Sequence, residues 1–211
     1  QKCRDAGIKV ATYPTTTRLM QRPVKQDVKI IDEIYSPPLS GIIEVLNHES
    51  VNLYAEHLLK ELGKVYRDRG STEKGIEVVR EFLSSAGVAA EGMFMEDGSG
   101  LSPLNAVSSE AIVSLLYKMK KQGRHFSEFY ASLPEAGING TLRNIFRDPV
   151  FESRLRAKSG SMTRVRSYAG YLTTVSGKDL IFCIIVNNFS GQYQRITGHI
   201  EEILKEVIES M

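Results

Sequence analysis

Apolar positions recur at two different periods along this chain of 211 residues, and the change of period divides it. From about residue 39 to residue 122 the period is helical. A short helix from about Leu39 to Asn47 follows Ser36-Pro37-Pro38, with the serine as cap and proline tolerated in the first turn. Ser50 opens a second helix. Val51, Tyr54, Ala55, Leu58, Leu59 and Leu62 recur at i, i+3, i+4, which makes Tyr54, Leu58 and Leu62 core positions and Gly63 the helix end. Ser71-Thr72-Glu73 begins a third helix, with Ile76, Val79, Leu83 and Ala86 in phase and Gly87 as its stop. Ser108 or Ser109 caps a fourth, striped by Ile112, Leu115, Leu116 and Met119. Residues 123–150 read as helix fragments and turns. Three strands follow, over Leu155–Ser161, Arg166–Thr174 and Lys178–Asn187, with Ser176-Gly177 as a tight hairpin. Ile196, Ile200, Ile203, Leu204 and Val207 mark a last amphipathic helix. Helices, then strands, then a helix predict a mixed α+β domain with an antiparallel sheet.

The ends of this pattern are less regular. Ile8–Tyr13 and Val28–Tyr35 read as extended, joined by a basic, Thr-rich loop. Gln1 to Gly7 reads as the last turns of a helix running into a glycine stop. Leu180 to Val186 is apolar at every position, the pattern of a strand inside a sheet covered on both faces.

Bulk composition narrows the function classes. Hydrophobic residues make up 42% and charged residues 25%, an ordinary globular balance. A net charge of +2 with no basic block argues against a nucleic-acid surface. No apolar run reaches membrane-spanning length, and no signal peptide is visible. The two cysteines supply no disulfide framework, and Cys183 reads as a buried small hydrophobe. His48, His57, His125 and His199 lack ligand spacing, so neither a metal nor another cofactor is expected.

Candidate chemistry concentrates in Lys158-Ser159-Gly160, expected on a strand edge. The ammonium attracts a carboxylate, the Ser159 hydroxyl donates to it, and Gly160 lets a substrate backbone come close. The backbone N–H of Ser161 is placed to serve a developing oxyanion. Roughly 100 residues upstream stands Ser50-Val51-Asn52. Penicillin-recognising serine hydrolases use S-x-x-K, S-x-N and K-[TS]-G, and the last two occur here in that order. The first, with its nucleophile, is missing. Ser71-Thr-Glu-Lys74 matches S-x-x-K but falls after Ser50 and suits a helix start. Ser50 alone also suits a helix cap, and Lys158 alone an edge-strand charge that discourages aggregation. Asp97-Gly-Ser-Gly-Leu-Ser102 fits neither a phosphate loop nor a nucleophile elbow and reads as a turn near a cleft.

Six stretches together resemble the D-alanyl-D-alanine carboxypeptidase/endopeptidase family, the low-molecular-mass class C penicillin-binding proteins. They are Tyr35-Ser-Pro-Pro-Leu39, Ser50-Val-Asn-Leu-Tyr-Ala-Glu56, Asp97 to Ser102, Ser132-Leu-Pro-Glu-Ala-Gly137 with Gly140-Thr-Leu142, Ala157 to Ser161, and Ala169-Gly-Tyr171. The resemblance implies a penicillin-binding/β-lactamase-like fold, a helical subdomain beside an antiparallel sheet, incomplete at its N-terminal side. It implies an exported, periplasmic or otherwise extracytoplasmic serine peptidase, with peptidoglycan stem peptides as substrates and β-lactams as inhibitors. On this resemblance Ser50, Asn52 and Lys158 are catalytic, and Ser159, Gly160 and Ser161 bind substrate. Val51 stands where the family commonly has Asp, and Ser159 where K-[TS]-G commonly has Thr. Residues 1–35 become a return segment from an accessory region, and 36–211 the C-terminal part of the penicillin-recognising domain. The chain alone is then expected to be inactive. A companion segment, a second copy or the Ile8–Tyr35 stretch is expected along the far edge of the Leu180–Val186 strand. A non-catalytic muropeptide-binding module is the other reading. A class A β-lactamase relative is disfavoured, because no E-x-x-L-N lies between Asn52 and Lys158.

Overall fold

The structure, a computed structural model, describes residues 2–9 and 33–210, and the chain divides into units 1–36 and 37–211. In the first unit a one-turn helix, α1 (Lys2–Asp5), ends at Gly7 with φ +74°, the glycine stop expected from the sequence. The extended readings of Ile8–Tyr13 and Val28–Tyr35 fall largely outside the described residues.

The second unit begins with α2 (Leu39–Glu49) and α3 (Asn52–Arg67), and their junction departs from expectation. Pro38, not Ser36, stands at the α2 N-cap, because a residue before proline is driven out of the helical region. Ser50 does not cap α3. It is the left-handed residue that ends α2, at φ 53° and ψ 51°, and Val51 holds the N-cap position of α3. Gly63 does not stop α3 either, since the helix runs four residues further to Arg67. Its buried positions are Leu59 and Gly63, while Tyr54 and Leu62 are more than a third exposed. The cause is the crossing with α4 (Thr72–Ser85). A Cβ on Gly75 would lie 2.1 Å from Leu59 O, and one on Gly63 would lie 2.9 Å from Gly75 N. The two backbones touch there, so the stripe turns towards Leu59 and Gly63.

Ser71 caps α4 by accepting from Lys74 N at 3.3 Å, and Ser108 caps α5 (Ser109–Gln122) by accepting from Ala111 N at 3.1 Å. Gly87 ends α4 as expected, with φ +62° and the bond Val88 N to Leu83 O. Leu83, Val88 and Ala111 form the small core between these helices. A short α6 (Phe126–Ser132) and a 3₁₀ turn, Gly140–Leu142, lead to the sheet.

The sheet is antiparallel in the order β1 (Leu155–Met162), β2 (Val165–Thr173), β3 (Asp179–Asn187). Its two faces are read by alternation. Leu155, Ala157, Tyr168, Leu172, Phe182 and Ile184 point to α7 (Tyr193–Ser210) and pack on Ile200, Leu204 and Ile208. Ala169, Tyr171 and Ile181 point the other way, onto Ile112 and Leu116 of α5 and the rings of α6. This two-sided cover explains why Leu180–Val186 is apolar throughout. The strand nonetheless stands last in the sheet order rather than inside it, and no segment among the described residues pairs with its far edge. Cys183, opposite Ala169, is half-buried rather than buried. No described helix is long and apolar enough to cross a membrane.

Candidate active site

The end of α2 and the middle of β1 meet. Lys158 Nζ donates to Ser50 Oγ at 2.7 Å and to the carbonyl of Ser159 at 2.9 Å. Ser50 is exposed and left-handed, a conformation disfavoured for a residue with a Cβ and held here by its surroundings. One turn earlier, buried Asn47 donates from Nδ2 to Ser132 Oγ at 2.8 Å, and Ser132 donates to Phe129 O at 2.7 Å, tying α2 to α6. Gly140 presses on the same terminus. A Cβ there would lie 2.9 Å from His48 O and 3.0 Å from Pro134 Cγ.

Lys158 is half-buried, and burial lowers its pKa from the ordinary 10.5. Among the described residues no carboxylate pairs with it. By contrast Arg156, two positions back on the same face, is committed. It pairs with Glu135, donates to Leu133 O and lies over the Tyr130 ring. Lys158 is thus the cation at this end of β1 that an incoming anion can claim.

The outer edge of β1 changes character at the same place. Ala136 N donates to Leu155 O and Ala157 N to Pro134 O, both at 3.0 Å, so residues 134–136 cover the first half of that edge. Outward-facing main-chain groups alternate along an antiparallel strand. Ser159 and Ser161 therefore present theirs on the same side as Ala157, and no backbone segment among the described residues pairs with them there. The edge is open where an extended peptide would add.

A Cβ on Gly160 would lie 2.5 Å from Ser167 Oγ, on the residue opposite it in β2, a contact that rotation of the Ser167 hydroxyl would relieve. Ser159 Oγ donates to Thr141 Oγ1 at 2.8 Å. Asn52 is exposed in the first turn of α3, with no hydrogen bond to Ser50 or Lys158. The structure thus brings Ser50, Lys158 and Ser159 together and sets Ser161 further along the same edge. Thr141 is a neighbour that none of the sequence motifs marks. Gly140-Thr-Leu142 belongs to the resembling stretches, but nothing in one sequence tells a hydroxyl that meets Ser159 from one that faces water.

Features read as structural are structural here. Ser71 accepts from Lys74 N, and Lys74 Nζ turns to Glu77 at 2.7 Å. Asp97 collects Gly100 N, Ser102 N and Asn105 Nδ2. Burial pushes its carboxyl up, but these donors outweigh it and hold the carboxyl below the ordinary range. Glu56 Oε1 accepts from Gly98 N and Ser99 N, which fixes this loop to α3 one turn past Asn52.

An antiparallel sheet packed against helices, with K-S-G on the open edge of one strand and S-x-N at a facing helix junction, is the arrangement of the penicillin-binding/β-lactamase-like fold. The chain belongs to the D-Ala-D-Ala carboxypeptidase 3 (S13) family, whose profile matches residues 1–206. It is 34% identical over 171 residues to a D-alanyl-D-alanine carboxypeptidase from Actinomadura sp., covering 79% of this chain and 31% of that one. Among solved structures it resembles penicillin binding protein 4 from Haemophilus influenzae, with a TM-score of 0.77 at 23% identity over 82% of this chain and 40% of the other. An extended-spectrum β-lactamase shares the fold at a TM-score of 0.61 and 19% identity, covering 80% of this chain and 62% of the other. The chain thus spans about a third of the Actinomadura relative's length.

Proposed function

We propose that this chain is the part of a serine DD-peptidase that receives the D-alanyl-D-alanine end of peptidoglycan stem peptides, supplying S-x-N and K-S-G. The observation that carries this reading is the 2.7 Å hydrogen bond from Lys158 Nζ to Ser50 Oγ, which joins the two elements across 108 residues. The Lys158 ammonium and the Ser159 hydroxyl hold the terminal carboxylate through charge-assisted hydrogen bonds. The substrate backbone runs along the open half of the β1 edge, and Ser161 N–H donates to the oxyanion of the tetrahedral intermediate. Ser50 passes a proton towards the leaving amine, and the Asn52 amide holds the substrate's amide carbonyl.

The nucleophile belongs to an S-x-x-K element outside residues 1–211, and the product of its attack is an acyl-enzyme. β-Lactams carry a carboxylate and compete for the same cradle; a relative of this fold, the Haemophilus influenzae protein, has been solved with a β-lactam. Such chemistry belongs outside the cytoplasm, at the cell wall. A companion segment or a second copy covers the far edge of β3.

Lys158→Ala tests the reading. Losing a charge-assisted contact costs about 1.5–3 kcal/mol, so binding of an N-acyl-D-Ala-D-Ala peptide should weaken by roughly ten- to 150-fold. Calorimetry that finds equal affinity for both proteins would remove Lys158 from the site.

A further inference from the structure

We infer that Thr141 is a positioning residue for carboxylate capture, acting through the hydroxyl of Ser159; the inference rests on the carboxylate-binding reading above. A hydroxyl carries one proton and two lone pairs. Ser159 Oγ donates its proton to Thr141 Oγ1 at 2.8 Å, and the Thr141 hydroxyl has no further partner among the described residues. The pair therefore shares one hydrogen bond and keeps one proton to give. A carboxylate only accepts. When it arrives beside Lys158, the pair reverses: Thr141 donates to Ser159, and the Ser159 proton turns to the anion. With no partner at position 141, the Ser159 hydroxyl would rotate without a fixed direction, and its proton would be shared with water.

The placement of Thr141 fits this role. It sits in the 3₁₀ turn Gly140–Leu142, whose Leu142 is fully buried. Gly140 abuts His48 of α2 at its carbonyl and Cα, two residues before Ser50. Asn139 Oδ1 accepts from Glu135 N at 2.8 Å, and Gly137 N donates to Leu142 O at 3.1 Å, so the turn is closed on itself. The α2 terminus thus holds both Ser50, which meets Lys158, and the turn that meets Ser159. One rigid junction sets both halves of the anion cradle in register.

The test compares an N-acyl-D-Ala-D-Ala peptide with its C-terminal carboxamide by calorimetry. Thr141→Val, which keeps the shape and removes the hydroxyl, should lose about tenfold in affinity for the carboxylate peptide. It should change affinity for the carboxamide less than about twofold, and Thr141→Ser should restore the carboxylate preference. Thr141→Val and Ser159→Ala should not add: the double variant should bind like Ser159→Ala alone. Equal losses for both peptides, or full additivity, would make Thr141 structural and overturn the inference. An unchanged carboxylate affinity in Thr141→Val would overturn it while leaving the carboxylate reading intact. A wild-type chain that does not prefer the carboxylate would overturn the reading itself. Should Thr141→Val fail to fold, Thr141→Ala serves in the same cycle.

Discussion

At the scale of the residue, Lys158 is set by what it lacks. It is half-buried without a carboxylate, so its charge is destabilised by burial and available to a ligand. Two opposite pH trends follow. The unfolded chain holds the lysine proton up to the ordinary 10.5, while the folded protein gives it up earlier. Between those values the unfolded state binds more protons, so this residue's contribution to stability rises with pH. The proposed carboxylate binding goes the other way, because it needs the ammonium. We expect affinity for N-acyl-D-Ala-D-Ala to fall as pH rises, beginning below the ordinary lysine range, and Lys158→Arg to move that fall out of reach. A titration of affinity against pH for the wild type and Lys158→Arg checks the second trend; a flat profile for the wild type would contradict the assignment. The exposed left-handed Ser50 shows why residue identity did not reveal its geometry. A serine before a helix reads as a cap, and only the turn from α2 into α3 makes it a partner for Lys158.

At the scale of the element, glycine separates what the sequence shows from what it hides. The strands were legible because alternation, a Ser-Gly turn and a two-faced apolar run all agree; the observed β1, β2 and β3 lie within a residue of the expected ranges. Capped helices were legible at Ser71 and Ser108 for the same reason. The face of α3 was not, because its partner touches it through backbone at Gly63 and Gly75, and such a contact leaves no apolar side chain to count. Gly75→Ala should therefore destabilise the protein by about 3 kcal/mol, since the new methyl meets a helix carbonyl that cannot move aside. Gly70→Ala is the control: its Cβ would meet nothing closer than 3.6 Å, and its unfolding midpoint should barely change. Denaturant unfolding of both variants checks this, and equal midpoints would show that α3 and α4 do not cross through their glycines.

Across the whole molecule, a sheet and a helix junction bring the two motifs within hydrogen-bonding distance. The motifs and their order were legible in the sequence, as was the fold class. Which side chains meet was not, because a separation of 108 residues carries no contact information without the fold. Thr141 meets Ser159 across only 18 residues, but through a turn whose direction no motif fixes. Residues 1–211 hold no serine activated by a neighbouring lysine in the S-x-x-K manner ahead of Ser50. Incubated with penicillin, this chain should stay unmodified by intact mass, and a stoichiometric adduct would overturn the assignment of the nucleophile to another segment. Amide NMR during titration with an acyl-D-Ala-D-Ala peptide tests whether the open half of β1 receives that end. The Ser159 and Ser161 amides should shift and become protected from exchange, while Gly160, paired inward with Ser167, moves little. Shifts that leave residues 158–161 untouched and gather instead at the cavity of about 150 Å³ beside Phe126, Tyr130 and Tyr171 would contradict it.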